Sequence, residues 1–163
     1  MACGNQLYKL VKGDLLNNEK RGVIMITVRF YEQVANELLK FAVIVSKYNG
    51  KWVFCKHKNR DTYECPGGHR ESNEIIEDTA KRELWEETGA KIFDLTPICV
   101  YSVLDDYQET FGMLYFADIY SFEELPHFEM ERIQLFDMLP NDWTYPNIQP
   151  ILVQKVSEVI FNK

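Results

Sequence analysis

The chain has 163 residues, enough for one domain with a substantial core, and its apolar and charged fractions, 46% and 26%, are those of an ordinary globular protein. A formal net charge of −7 argues against long duplex nucleic acid as a partner, because such a partner asks for a basic surface. No apolar run is long enough to span a bilayer, no signal peptide is read at the N-terminus, and four scattered cysteines (Cys3, Cys55, Cys65, Cys99) favour free thiols in a reducing cytoplasm.

In chain order, residues 23–30 are β-branched and apolar, which predicts a strand. Two further strands are expected over 41–46 and 52–56. Between them stands Asn49-Gly50, the strongest short-range hairpin signal. A short strand is expected near 62–65, just ahead of Pro66-Gly67-Gly68. Residues 74–88 predict a helix. Ser72 or Asn73 is the expected cap, Gly89 suits the left-handed position after its end, and Ile76, Ala80 and Leu84 form one apolar stripe. Strands over 98–104 and 112–120 flank a polar loop, 105–110, and a short strand is expected at 133–136. Pro150 fits the first turn of a closing helix whose buried face is Leu152, Val156, Val159 and Ile160. This order implies an α/β fold of one domain, a mixed sheet covered by helices.

The first helix carries the chemistry. Glu83, Glu86 and Glu87 stand at i, i+3 and i+4, so their carboxylates share one side. Alone, such a trio is ordinarily a solvated acidic face. A divalent cation would turn its repulsion into attraction, since magnesium takes oxygen ligands and is commonly shared between carboxylates and substrate phosphates. The paired glycines before the helix let backbone turn sharply and approach a ligand closely.

Read as one unit, Gly68, five residues, Glu74, seven residues, then Arg82-Glu83-Leu84-Trp85-Glu86-Glu87-Thr88-Gly89-Ala90 resembles the Nudix box, G-x5-E-x7-R-E-U-x-E-E-x-G-U, with U a bulky aliphatic. Every fixed position matches, and Ala90 is smaller than the pattern prefers. The stretch from Asp61 to His69 looks like bacterial Nudix proteins assigned to 8-oxo-dGTP hydrolysis and to removal of pyrophosphate from RNA 5′ ends.

The resemblance implies the Nudix α/β/α sandwich and a magnesium or manganese site. The implied metal ligands are Glu83, Glu86 and Glu87, with the Gly67 carbonyl in addition. Arg82 would orient a box glutamate, and Glu74 would brace the motif. The family's general base is a box glutamate, here Glu83, or a glutamate from a later loop. Among later acids Glu129 best suits the position before the short strand, with Glu131 and Glu109 as rivals. A basic cluster (Lys56, His57, Lys58, Arg60, His69, Arg70) precedes or opens the box, and within it Lys58, Arg60 and Arg70 are candidates for substrate phosphate oxygens. Tyr107, Trp143 and Tyr145 are candidates for stacking on a base. The implied activity is hydrolysis of a nucleoside triphosphate to monophosphate and pyrophosphate, with oxidised dGTP favoured. The alternatives are a pyrophosphohydrolase of RNA 5′ ends, a dinucleoside polyphosphate hydrolase, and a nucleotide sensor that has kept the fold without catalysis.

Overall fold

A computed structural model describes residues 6–9 and 25–161 of the chain. Among these, nine strands form one sheet in the order β1 (Gln6–Lys9), β2 (Met25–Tyr31), β7 (Ala90–Leu104), β8 (Glu109–Phe122), β3 (Leu39–Tyr48), β4 (Lys51–His57), β5 (Tyr63–Glu64). Two strands lie off this path: β6 (Gly67–His69) pairs with β3, and β9 (Met130–Phe136) pairs with β4. β3 and β8 run parallel, and the remaining pairings between these strands are antiparallel, so the sheet is mixed.

The central strands are covered on both faces, and their side chains alternate between two apolar clusters. Ala42, Ile44, Val53, Tyr115 and Ala117 meet Ala80 and Leu84 of helix α1 (Ile76–Thr88). Val45, Phe54, Leu114 and Phe116 meet Ile151, Leu152, Val153 and Val156 of helix α2 (Gln149–Ile160). The result is the α/β/α sandwich expected. The β3–β4 hairpin turns at Asn49 and Gly50, both with positive φ, 49° and 78°, as a twist-matched two-residue turn requires.

The hairpin pairs for only three residues on each strand, from Ser46↔Val53 to Tyr48↔Lys51. Beyond it β4 leaves β3. The gap is filled by β6 against β3, while β5 and β9 pair with β4. This splaying opens the sheet beside the glycines, and it positions the site.

Several boundaries differ from the expectation. Helix α1 begins at Ile76, two residues after Glu74, and its cap position is Ile75, with no side-chain cap from Ser72 or Asn73. Asn73 instead takes a left-handed turn conformation, φ 65°, which frees the Glu74 carboxylate for other donors. Glu77 and Asp78 supply negative charge to the first turn. β7 and β8 are longer than their apolar stretches, so the connecting loop shrinks to 105–108. β9 starts at Met130, which leaves Glu129 at its mouth and puts Glu131 within it. The first part of the strand expected over 23–30 lies outside the described residues.

Candidate active site

The Pro66-Gly67-Gly68 segment is tied to the edge of β3. Ile44 N–H donates to the Pro66 carbonyl at 2.9 Å, and Gly67 and Gly68 pair with Val43 and Ala42. Helix α1 packs over this segment. Burial of Ala80 and Leu84 against the sheet sets the rotation of the helix, and that rotation turns Glu83 and Glu87 towards the two glycines. Gly67 N–H donates to Glu87 Oε2 at 2.9 Å. A Cβ at Gly67 would run into the backbone of Ala42 and Val43, so that position has room only for glycine, while a Cβ at Gly68 would push the Glu83 carboxylate aside.

Arg82 braces the arrangement. Its Nε and Nη2 donate to the two oxygens of Glu74 at 2.8 and 3.0 Å, its Nη1 donates to Glu83 Oε1 at 2.7 Å, and Nη2 also reaches the His69 carbonyl at 3.0 Å. Glu86 Oε2 lies 3.6 Å from the same guanidinium. Glu74 further accepts from Glu71 N–H at 3.0 Å and the Thr79 hydroxyl at 2.7 Å. Arg82, with these donors, holds the Glu74 carboxyl down to about 2.

Glu83 and Glu87 behave oppositely. Burial pushes Glu83 above the usual carboxylate range, although Arg82 opposes the shift. Burial pushes Glu87 up to about 9, and the charges of Glu83, Glu64 and Glu129 add to the rise against the single Gly67 N–H. Ionised together, the three carboxylates on this helix face would carry more negative charge than Arg82 neutralises. The missing complement is positive, and the donors are all oxygen, which suits a hard divalent cation. In this arrangement Glu83 and Glu87 are turned onto Arg82 and Gly67 N–H. Among the described residues, no three acidic, histidine or cysteine side chains already surround a common point.

These groups line a cavity of about 320 Å³ whose walls include Gly67, Gly68, Glu83, Glu86 and Glu87. Facing them are His57, Arg60, Glu64, Phe128, Glu129 and Tyr145. Arg60 is held in place by Glu64, Nη1 to Oε2 at 2.9 Å, and by the Tyr145 hydroxyl. Glu129 is exposed, with its Oε2 3.9 Å from His57 Nε2. A second, more apolar cavity of about 340 Å³ adjoins the first and shares Glu64, Gly67, Gly68, His69 and Tyr145 with it. Its other walls include Phe41, Tyr101, Val103, Ile148 and Gln149.

Other candidates from the sequence stand elsewhere. Lys58 Nζ donates to the Phe128 carbonyl at 2.6 Å, and Arg70 donates to the carbonyls of Glu74 and Asn36 at 2.6 and 2.9 Å. Both cations are committed to backbone oxygens and line neither cavity. Glu131 is held by Lys56 at 2.6 Å and by Arg132 at 2.9 Å. Glu109 accepts from Ser102 and Tyr31 on the face of β2, β7 and β8, outside both cavities. Tyr107 is exposed in the β7–β8 turn, and Trp143 packs against Phe54. Sequence reasoning assigned nothing to Glu64 or Phe128. The only signal for Glu64 was its place two residues before Pro66 on an alternating strand, and Phe128 gave none.

The NUDIX domain family matches this chain over residues 38–139. A protein of Bacillus subtilis (strain 168), YtkD, named as a candidate 8-oxo-dGTP diphosphatase, is 34% identical over 118 residues, or 72% of this chain and 74% of its own length. Among solved structures, the Bacillus subtilis pyrophosphohydrolase BsRppH superposes with a TM-score of 0.72 at 29% identity, over 86% of this chain and 94% of that one. The NUDIX domain of Shewanella oneidensis NrtR, solved with ADP-ribose, superposes with a TM-score of 0.59 at 15% identity over 74% and 87%, a likeness of fold alone.

Proposed function

The chain belongs to the Nudix hydrolase family, and we propose that it is a magnesium-dependent pyrophosphohydrolase that cleaves 8-oxo-dGTP or a related nucleoside triphosphate to monophosphate and pyrophosphate. The observation that carries this reading is the gathering of Glu83, Glu86, Glu87 and the paired glycines on one cavity that opens into a second, apolar one. A triphosphate has the same division, a polyanionic chain beside a flat base. The name borne by YtkD supports the choice of oxidised dGTP.

Glu83, Glu86, Glu87 and the Gly67 carbonyl would hold magnesium, with manganese as a substitute. The ion would screen phosphate charge and ease ionisation of the attacking water. Arg82 orients Glu83 through the bond at 2.7 Å. Arg60 faces the same cavity and meets phosphate oxygens that the ion leaves uncovered. Glu129 takes the water proton on its carboxylate as the new P–O bond forms and the bond to the pyrophosphate leaving group breaks. Of the three later acids considered, Glu129 is the one on the cavity. Glu129→Gln is expected to lower kcat by about 100-fold or more with little change in KM, read by steady-state kinetics. An unimpaired variant would move the base to Glu83.

Removal of pyrophosphate from RNA 5′ ends is the second reading, and the similarity to BsRppH favours it. Both reactions use the same glutamates and differ in whether the triphosphorylated nucleotide is free or carries an RNA chain on its 3′ oxygen. A panel of nucleoside triphosphates, 8-oxo-dGTP and a 5′-triphosphorylated oligonucleotide, assayed with magnesium and resolved by chromatography, separates them. The highest kcat/KM is expected for the oxidised nucleotide, with pyrophosphate as co-product. Turnover of the oligonucleotide far above every free nucleotide would replace this reading with the second.

A further inference from the structure

Gln149 opens α2, is only 5% exposed, and lines the apolar cavity. Cys65 N–H donates to its Oε1 at 2.9 Å. A carboxamide carries its acceptor and its donor on opposite arms, so an oxygen fixed on Cys65 also fixes the direction of the –NH2. Among the described residues no acceptor takes that –NH2. Among the described residues, the side-chain nitrogens and oxygens that protein seals off without a partner are Arg29 Nε, Ser46 Oγ and Ser121 Oγ. The Gln149 nitrogen is not among them, and the free face it has is the cavity. Around it the walls are flat or aliphatic: Phe41 and Tyr101, with ring centroids 5.5 Å apart, then Tyr145, Ile148 and Leu152. These surfaces suit a heteroaromatic ring.

We propose that Gln149 is a specificity-determining residue that reads the edge of the base as a hydrogen-bond donor and selects a 6-oxopurine over a 6-aminopurine. The proposal rests on the reading above, that the substrate is 8-oxo-dGTP or a related nucleotide, and adds the residue that recognises the 6-oxo edge of its base. A carbonyl oxygen accepts from the fixed –NH2. An amino group at the same position brings donor against donor and leaves the buried Gln149 –NH2 without an acceptor. Sites built on a buried polar group reject the mismatched analogue strongly for this reason. The bond from Cys65 prevents the carboxamide from rotating to present its oxygen instead, because rotation would orphan a buried N–H. A residue that only braced α2 against the glycine loop would need the Cys65 bond and nothing else.

The test compares dGTP with the triphosphate of 2,6-diaminopurine deoxyriboside, which carries amino in place of oxygen at C6 and, with it, no proton at N1. The wild-type enzyme is expected to favour dGTP in kcat/KM by roughly tenfold or more. Gln149→Met, of similar length, is expected to bring the ratio close to one, with the loss falling on dGTP. Gln149→Glu keeps the acceptor for Cys65 N–H but turns an acceptor to the base. At alkaline pH, with that carboxylate ionised, it is expected to invert the preference. Calorimetric binding of the two α,β-methylene analogues carries the same expectation without turnover. Equal use of both nucleotides by the wild-type enzyme would overturn the proposal, as would an unchanged ratio in both variants. Turnover of neither nucleotide with magnesium, beside normal binding discrimination, would overturn the functional reading and leave the base preference standing.

Discussion

Two glutamates of one motif are driven in opposite directions by their surroundings. Glu74 is held down to about 2, chiefly by Arg82. A carboxyl lowered on folding stabilises the fold above its ordinary value and loses that contribution as pH falls towards its folded one. Glu74→Gln should therefore cost about 1–3 kcal/mol at neutral pH. The difference from wild type should shrink as pH drops from 4.5 towards 2, measured by denaturant titration. Glu87 has the reverse sign. Burial raises it to about 9, so in metal-free protein it becomes an increasing liability as pH rises from 4.5 to 9. Glu87→Gln should be more stable than wild type in chelator at pH 8, and the gain should vanish below pH 4.5. Magnesium should stabilise wild type more strongly as pH rises through that window, because ligands must shed their protons to bind. A thermal melt with and without chelator reads both effects.

Long periodic elements and the strongest turn were legible in the sequence, because local propensity and burial agree there. The apolar stripe of α1, the Asn49-Gly50 hairpin and the two-sided strands β3 and β8 are such cases. Short pieces were not. The three-residue β6 and the turn at 36–38 carry no period of their own, and β6 finds its place because β4 peels away from β3. The start of α1 was misjudged because Glu74 serves Arg82 instead of continuing the helix. Long-range partners were hidden as well, since nothing local in Lys58 announces a bond to the Phe128 carbonyl. That bond belongs to a latch on the segment carrying Glu129. Trp85 Nε1 donates to Glu123 at 2.6 Å, and its ring meets Phe128 edge-on at 6.2 Å. Trp85 is more than a third exposed, so the fold leans on it little. Trp85→Ala is expected to lower kcat by about tenfold through loosened placement of Glu129, with a nearly unchanged melting temperature. A fall in stability that fully accounts for the lost activity would refute the latch.

At the scale of the molecule, an acidic protein of net charge −7 is read as binding a polyanion. The conflict is resolved by concentrating oxygen donors where a cation can bridge them to phosphate, with Arg60 on the facing wall. The sandwich supplies the rigidity: one face of the sheet buries α1 and so aims the glutamates, and the other buries α2 and so encloses the apolar cavity. The central claim is that Glu83, Glu86 and Glu87 form a metal-dependent hydrolytic centre. Turnover of 8-oxo-dGTP by Glu86→Gln and Glu87→Gln, at saturating magnesium, tests it most directly. Each amide keeps the shape but removes the charge that the ion needs. Both variants should fold as wild type does and lose activity by roughly 100-fold or more, as wild type does in chelator. Near-normal turnover in both variants, or wild-type turnover untouched by chelator, would contradict that claim.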